Sequence, residues 1–134
     1  MSRKTDSHNP ADWILIAASD MELVRAGAEQ EIGFAAVRSK LAEIVEKVLK
    51  AELIRIGWEL EKTHDLERLR KELRERDAEL ASSIQPLCTS LAEVYFTGRY
   101  PGFDLEDPDW PDFRAKLEQV GRLQEKVRAR VGGS

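Results

Sequence analysis

Two short stretches hold the side chains best suited to chemistry: Thr63-His64-Asp65, and further on Tyr95 with Arg99 and Tyr100. Thr63 is a natural helix cap, and the backbone N–H groups of a helix start attract a phosphate or carboxylate. Arg99 can add a bidentate guanidinium to the same anion, and the tyrosine rings can stack a base. Histidine ordinarily titrates near neutrality, so His64 is also a candidate general acid or base, with Arg99 stabilising charge on a phosphorane. A purely structural reading fits the same residues. Arg99 then compensates a helix C-terminus or pairs with Asp65, Tyr95 is core, and His64 supports the capping turn.

Helices must position these groups. Asn9-Pro10-Ala11-Asp12 is a helix start, and the spacing predicts a first helix from Pro10 to Ala26, turning after Gly27, with Asp20 snorkelling or paired in its inner stripe. A long second helix follows from about Ile32, carrying Val37, Leu41, Ile44, Val48, Leu49 and Glu52 on one face and weakening at Gly57. Thr63 opens a third helix with Leu66, Leu69, Leu73 and Leu80 inward. Its mixed charges, Glu67 with Lys71 and Glu72 with Arg76, read as a solvated face. A fourth helix runs from about Leu87 to Thr97-Gly98. A fifth opens at Trp110-Pro111-Asp112 with a stripe of Phe113, Leu117, Val120, Leu123, Val127 and Val131.

The expected fold is therefore all-α: an antiparallel up-and-down bundle of four to five helices over residues 10–131, with flexible ends at 1–9 and 132–134. Short connections would place Thr63, His64 and Asp65 at the same pole as Tyr95, Arg99 and Tyr100, together with Trp13, Trp58 and Trp110.

At 134 residues, 42% hydrophobic and 34% charged, the chain suits one amphipathic helical domain. A net charge of -4 provides no global field for nucleic acid. Cys88 is the single cysteine and His8 the other imidazole, so neither an internal disulfide nor a structural zinc cluster is expected. The acidic loop of Asp104, Glu106, Asp107, Asp109 and Asp112 lacks calcium-loop spacing. No metal or cofactor is expected, and a cytoplasmic location without membrane insertion is.

In order along the chain, Asp12-Trp13, Ala17, Asp20-Met21, Glu46-Lys47-Val48-Leu49-Lys50-Ala51, Thr63-His64-Asp65-Leu66, and Tyr95 with Arg99-Tyr100-Pro101 resemble the HEPN domain in its short bacterial and archaeal form. The resemblance covers residues from about 12 to 101, and the last helix agrees in position and pattern. It implies a helical bundle that commonly dimerises, often beside a minimal nucleotidyltransferase in toxin and antitoxin pairs. Some relatives are metal-independent ribonucleases whose signature is Arg followed, after four to six residues, by His. Here Arg99 has no His downstream, Arg55 is separated from His64 by eight residues, and Arg3 with His8 precedes the first helix. Ala42-Glu43 also stands where a glutamine pair is common in the family.

The resulting expectation is a dimeric binding module engaging a nucleotide or a nucleotidyltransferase partner through Thr63, His64, Asp65, Tyr95, Arg99 and Tyr100. The alternatives are a ribonuclease toxin acting on RNA through His64 and Arg99, and a structural helical oligomer.

Overall fold

The computed structural model describes residues 7–94 and 108–133. Six helices lie within them: α1 (Pro10–Gln30), α2 (Phe34–Arg55), α3 (Leu66–Arg74), α4 (Ala78–Ser83), α5 (Gln85–Ala92) and α6 (Trp110–Gly133). The fold is an all-α bundle, with no strand among the described residues.

The start of α1 follows its sequence signals. Asn9 Oδ1 accepts a hydrogen bond from the Ala11 amide at 3.0 Å, with Pro10 at the first helical position. The preceding residues fold back on the helix, since Ser7 Oγ lies 2.6 Å from Asp12 Oδ2 and the Trp13 indole donates to the Ser7 carbonyl at 2.9 Å. Its end differs from expectation, because Gly27 lies inside α1. A Cβ there would stand 2.6 Å from Val37 Cγ1, so the glycine serves close helix packing. The chain turns later, at Glu31 with φ 55° and Gly33 with φ 64°.

Three helices make the centre. Ala17, Met21 and Val24 of α1 meet Leu41, Ile44, Val45, Val48 and Leu49 of α2, and Phe113, Val120 and Val127 of α6 close the same buried cluster. The direction of α6 is fixed at both ends. Trp110 packs edge-on against Phe34 at 5.1 Å and Arg114 donates to the Ala28 carbonyl at 2.9 Å, whereas Arg130 reaches Glu52. Thus α6 runs alongside α2 in the same sense and antiparallel to α1.

The connection after α2 overturns the expected meeting of α2's end with the start of α3. Ten residues separate Arg55 from Leu66, enough extended chain to return along the bundle. His64 accordingly lies beside Glu46, well before the end of α2, and Asp77, beyond α3, lies near Arg130 at the Glu52 end. So α3 runs in the same sense as α2. The expected third helix also breaks into α3 and α4, because the Asp77 carboxylate caps a new start at the Leu80 amide, 3.1 Å away. Then α5 returns: Thr89 meets Glu67 at 3.2 Å, and Leu91 and Val94 share a cavity with Phe34 and Phe113. The three tryptophans therefore do not gather at one pole. Trp13 and Trp58 lie toward the end of α2, and Trp110 stands against its beginning.

Candidate functional site

One acid–base pair joins α1 to α2 and a second lies within α2 beside it, and both use charged residues of the motifs quoted above. Lys47 Nζ lies 2.5 Å from Asp20 Oδ2, so Asp20 is paired. One turn further, Lys50 Nζ lies 2.9 Å from Glu46 Oε2, with side-chain exposures of only 5% and 8%. Buried ions need such partners, since either one unpaired would be strongly destabilising. The Lys50 ammonium also stands 5.3 Å from the centre of the Trp13 ring, a cation–π distance.

His64 completes the group from the connection before α3. Its Nδ1 lies 2.9 Å from Glu46 Oε1, and its side chain is 62% exposed. One buried carboxylate thus holds an amine from its own helix and an imidazole from a separate segment. Between them opens a cleft of about 320 Å³, lined by Trp13, Lys47, Lys50, Leu60, Lys62 and His64, with Glu43, Glu46 and Glu61 completing its wall. Amine and imidazole donors at a cleft with an apolar floor are suited to an oxygen-rich ligand carrying an apolar part.

The start of α3 departs from the anion site expected there. Asp65, not Thr63, is the cap: its Oδ1 accepts from the Glu67 and Arg68 amides at 3.0 and 3.3 Å. Thr63 Oγ1 instead accepts from the Asp65 amide at 3.2 Å. The carboxylate already occupies the place a phosphate would take and adds negative charge, so this helix start is not a ready anion cradle. Nor is Trp13 an open stacking platform, being 7% exposed with Lys50 over its ring. Of the expected site residues, Thr63, His64 and Asp65 are brought together; Tyr95, Arg99 and Tyr100 lie outside the described residues.

Glu46, Lys47 and Lys50 carry part of the family resemblance but are not among the residues expected to form the site. Their signal is the i,i+4 spacing of Glu46 and Lys50 among Ile44, Val45, Val48 and Leu49, which burial turns into a polar seam. A second polar cluster sits at the end of α2. Glu52, fully buried, accepts from Arg55 Nε at 2.6 Å and Nη2 at 3.0 Å, and from Arg130, which also approaches Asp77 at 3.5 Å. The hydrogen bond that Arg55 donates to Glu52 raises its guanidinium above its ordinary value, against the opposing effect of burial. This cluster matches cation to carboxylate and fastens α6 to α2.

Among the described residues no group of three or more His, Cys, Asp or Glu side chains is placed to hold a metal ion, and no helix is long and apolar enough to cross a membrane. Asp109, from the acidic loop, caps α6 by accepting from the Asp112 amide at 3.0 Å.

No curated protein and no solved structure matches the chain. A family model, that of the HEPN domain, matches residues 11–129. With the helical bundle and a match over nearly its whole length, the chain belongs to the HEPN domain family.

Proposed function

We propose that this HEPN protein is a dimeric binding and interaction module whose cleft beside His64 engages a nucleotide, or through it a minimal nucleotidyltransferase partner, as in paired toxin and antitoxin systems. The observation that carries the reading is the His64–Glu46–Lys50 chain of hydrogen bonds at the back of a cleft edged by Lys62. Buried Glu46 fixes the imidazole in place, and half-buried Leu60 offers an apolar surface for a nucleoside. Calorimetric titration of ATP tests the nucleotide clause. Wild type is expected to bind, and His64→Ala to bind at least tenfold more weakly; no heat of binding with wild type contradicts it. Arg99→Ala tests separately the share that the sequence assigned to Arg99. Co-purification with a co-expressed nucleotidyltransferase tests the partner clause.

A ribonuclease reading is favoured by one observation: an exposed imidazole oriented by a buried carboxylate is the arrangement a general base uses. The absence of the Arg-then-His signature ranks it second. Intact RNA after prolonged incubation with the purified protein would remove it.

A further inference from the structure

The cleft beside His64 has two unlike walls. One is built from α1 and α2, and its Trp13, Glu46 and Lys50 are buried in the bundle. The other is the chain between α2 and α3, which contributes Leu60, Glu61, Lys62 and His64. That chain is pinned at both ends. Trp58 is buried and its amide donates to the Leu53 carbonyl at 2.9 Å, while Leu66, behind the Asp65 cap, is buried as well. Between these pins no residue from 59 to 64 is buried. Just before the first pin stands Gly57 at φ 100°. A Cβ there would meet nothing within 4 Å, so this glycine answers to backbone conformation rather than to packing.

We infer that residues 59–64 form a strap that swings between Gly57 and Asp65, opening the cleft to admit its ligand and closing over it, with the His64–Glu46 contact as the clasp. The inference rests on the cleft being the binding site and adds how that site opens. The clasp is built for release. Glu46 gives Oε1 to His64 and Oε2 to Lys50, so when the imidazole leaves, the buried carboxylate and the buried ammonium keep each other. No buried charge is stranded, and stranding one is the costly part of breaking a buried pair. The imidazole passes into water, to which 62% of its side chain is already exposed. The strap also carries its own bonds with it. The Thr63 amide donates to the Glu61 carbonyl at 3.0 Å, and Arg68 of α3 holds Glu61 Oε2 at 2.9 and 2.7 Å, so neither link crosses the cleft. Size supplies the reason to move. At about 320 Å³ the cleft stands at the lower end of the roughly 300–1,000 Å³ of small-molecule sites, and the strap is the wall that yields without unpacking the core. Closures of this kind fall in the microsecond-to-millisecond range.

NMR relaxation dispersion on the full chain tests the strap without any ligand, and calorimetry reports ATP binding separately. The backbone amides of residues 59–62 are expected to exchange with one shared rate. Those of Trp58 and Leu69, bonded to the Leu53 and Asp65 carbonyls, should stay quiet. His64→Ala should raise the open population about fivefold, the weight of one exposed contact. His64→Asn, whose side-chain amide donates to Glu46 in place of Nδ1, should bring it back toward the wild-type value. Saturating ATP should suppress the exchange. Flat profiles over residues 59–62 in both wild type and His64→Ala overturn the strap, whatever calorimetry shows. Exchange that extends to Leu69 overturns it too, because α3 is then fraying. If ATP binds by calorimetry and leaves the exchange unchanged, the inference fails while the binding reading stands. Exchange that follows the clasp, with no heat of ATP binding, upholds the strap and removes the nucleotide clause instead.

Discussion

His64 Nδ1 stands 2.9 Å from Glu46 Oε1, so an exposed imidazole and a buried carboxylate form one unit across two segments of chain. The two ends of that contact have different energetic weight. Glu46→Leu removes the carboxylate that pairs with Lys50 and leaves a buried ammonium, which should cost about 3–5 kcal/mol. His64→Ala removes a solvent-screened partner and should cost under about 1 kcal/mol. Urea unfolding of the two variants checks the asymmetry; equal losses would contradict it.

Glu52 provides a second stability test, because two guanidinium groups converge on a fully buried carboxylate. Glu52→Ala should cost about 3–5 kcal/mol. Arg130→Ala should cost less, since Arg55 still holds Glu52 through two hydrogen bonds. A double-mutant cycle between Glu52 and Arg130 should give a coupling of about 0.5–3 kcal/mol. A coupling of zero would mean that the pair does not fasten α6 to α2.

Cys88 reports on folding through its pH dependence. Burial pushes its thiol up to about 12 from an ordinary 9.0, with the Glu67 carboxylate adding and Arg70 opposing. The folded state therefore holds this proton more tightly than the unfolded chain. The associated stability is present below about pH 9 and is lost as pH rises from about 9 toward 12. At neutral pH, labelling by a disulfide reagent should proceed only as fast as the chain opens, and urea should accelerate it. Immediate labelling of native protein would contradict the burial.

Gly27→Ala pits helix propensity against packing. Alanine favours a helix interior by about 1 kcal/mol. The new Cβ, 2.6 Å from Val37 Cγ1, should cost about 1–3 kcal/mol by overpacking. The net effect in thermal melts should be destabilising, and Val37→Ala in the same chain should recover part of it. A stabilised single variant would show that the helices can part at no cost.

These residues also show how much the sequence discloses. The stripes of α1, α2 and α6 were legible because burial follows a period of 3.6 residues, and Phe113, Val120, Leu123 and Val127 are buried as that spacing predicts. Gly27 misled because a glycine at a helix end and one at a helix crossing look the same without the neighbouring Val37. The direction of α3 was not legible, since it depends on how the ten residues after Arg55 return along the bundle. His64 stood out by residue type, but its partner Glu46 lies eighteen residues earlier on another element. Asp65 displaced Thr63 as the cap because both are good capping residues, and only the position of the first helical turn decides between them.

The binding account is tested most directly by the indole N–H resonances of the tryptophans during an ATP titration of isotope-labelled protein. Trp13 lines the cleft, whereas Trp110 packs against Phe34 at the opposite end of the bundle. The account predicts a saturable shift of the Trp13 signal with Trp110 unmoved, and loss of that shift in His64→Ala. A shift confined to Trp110, or a Trp13 signal that stays in place through millimolar ATP, would contradict it.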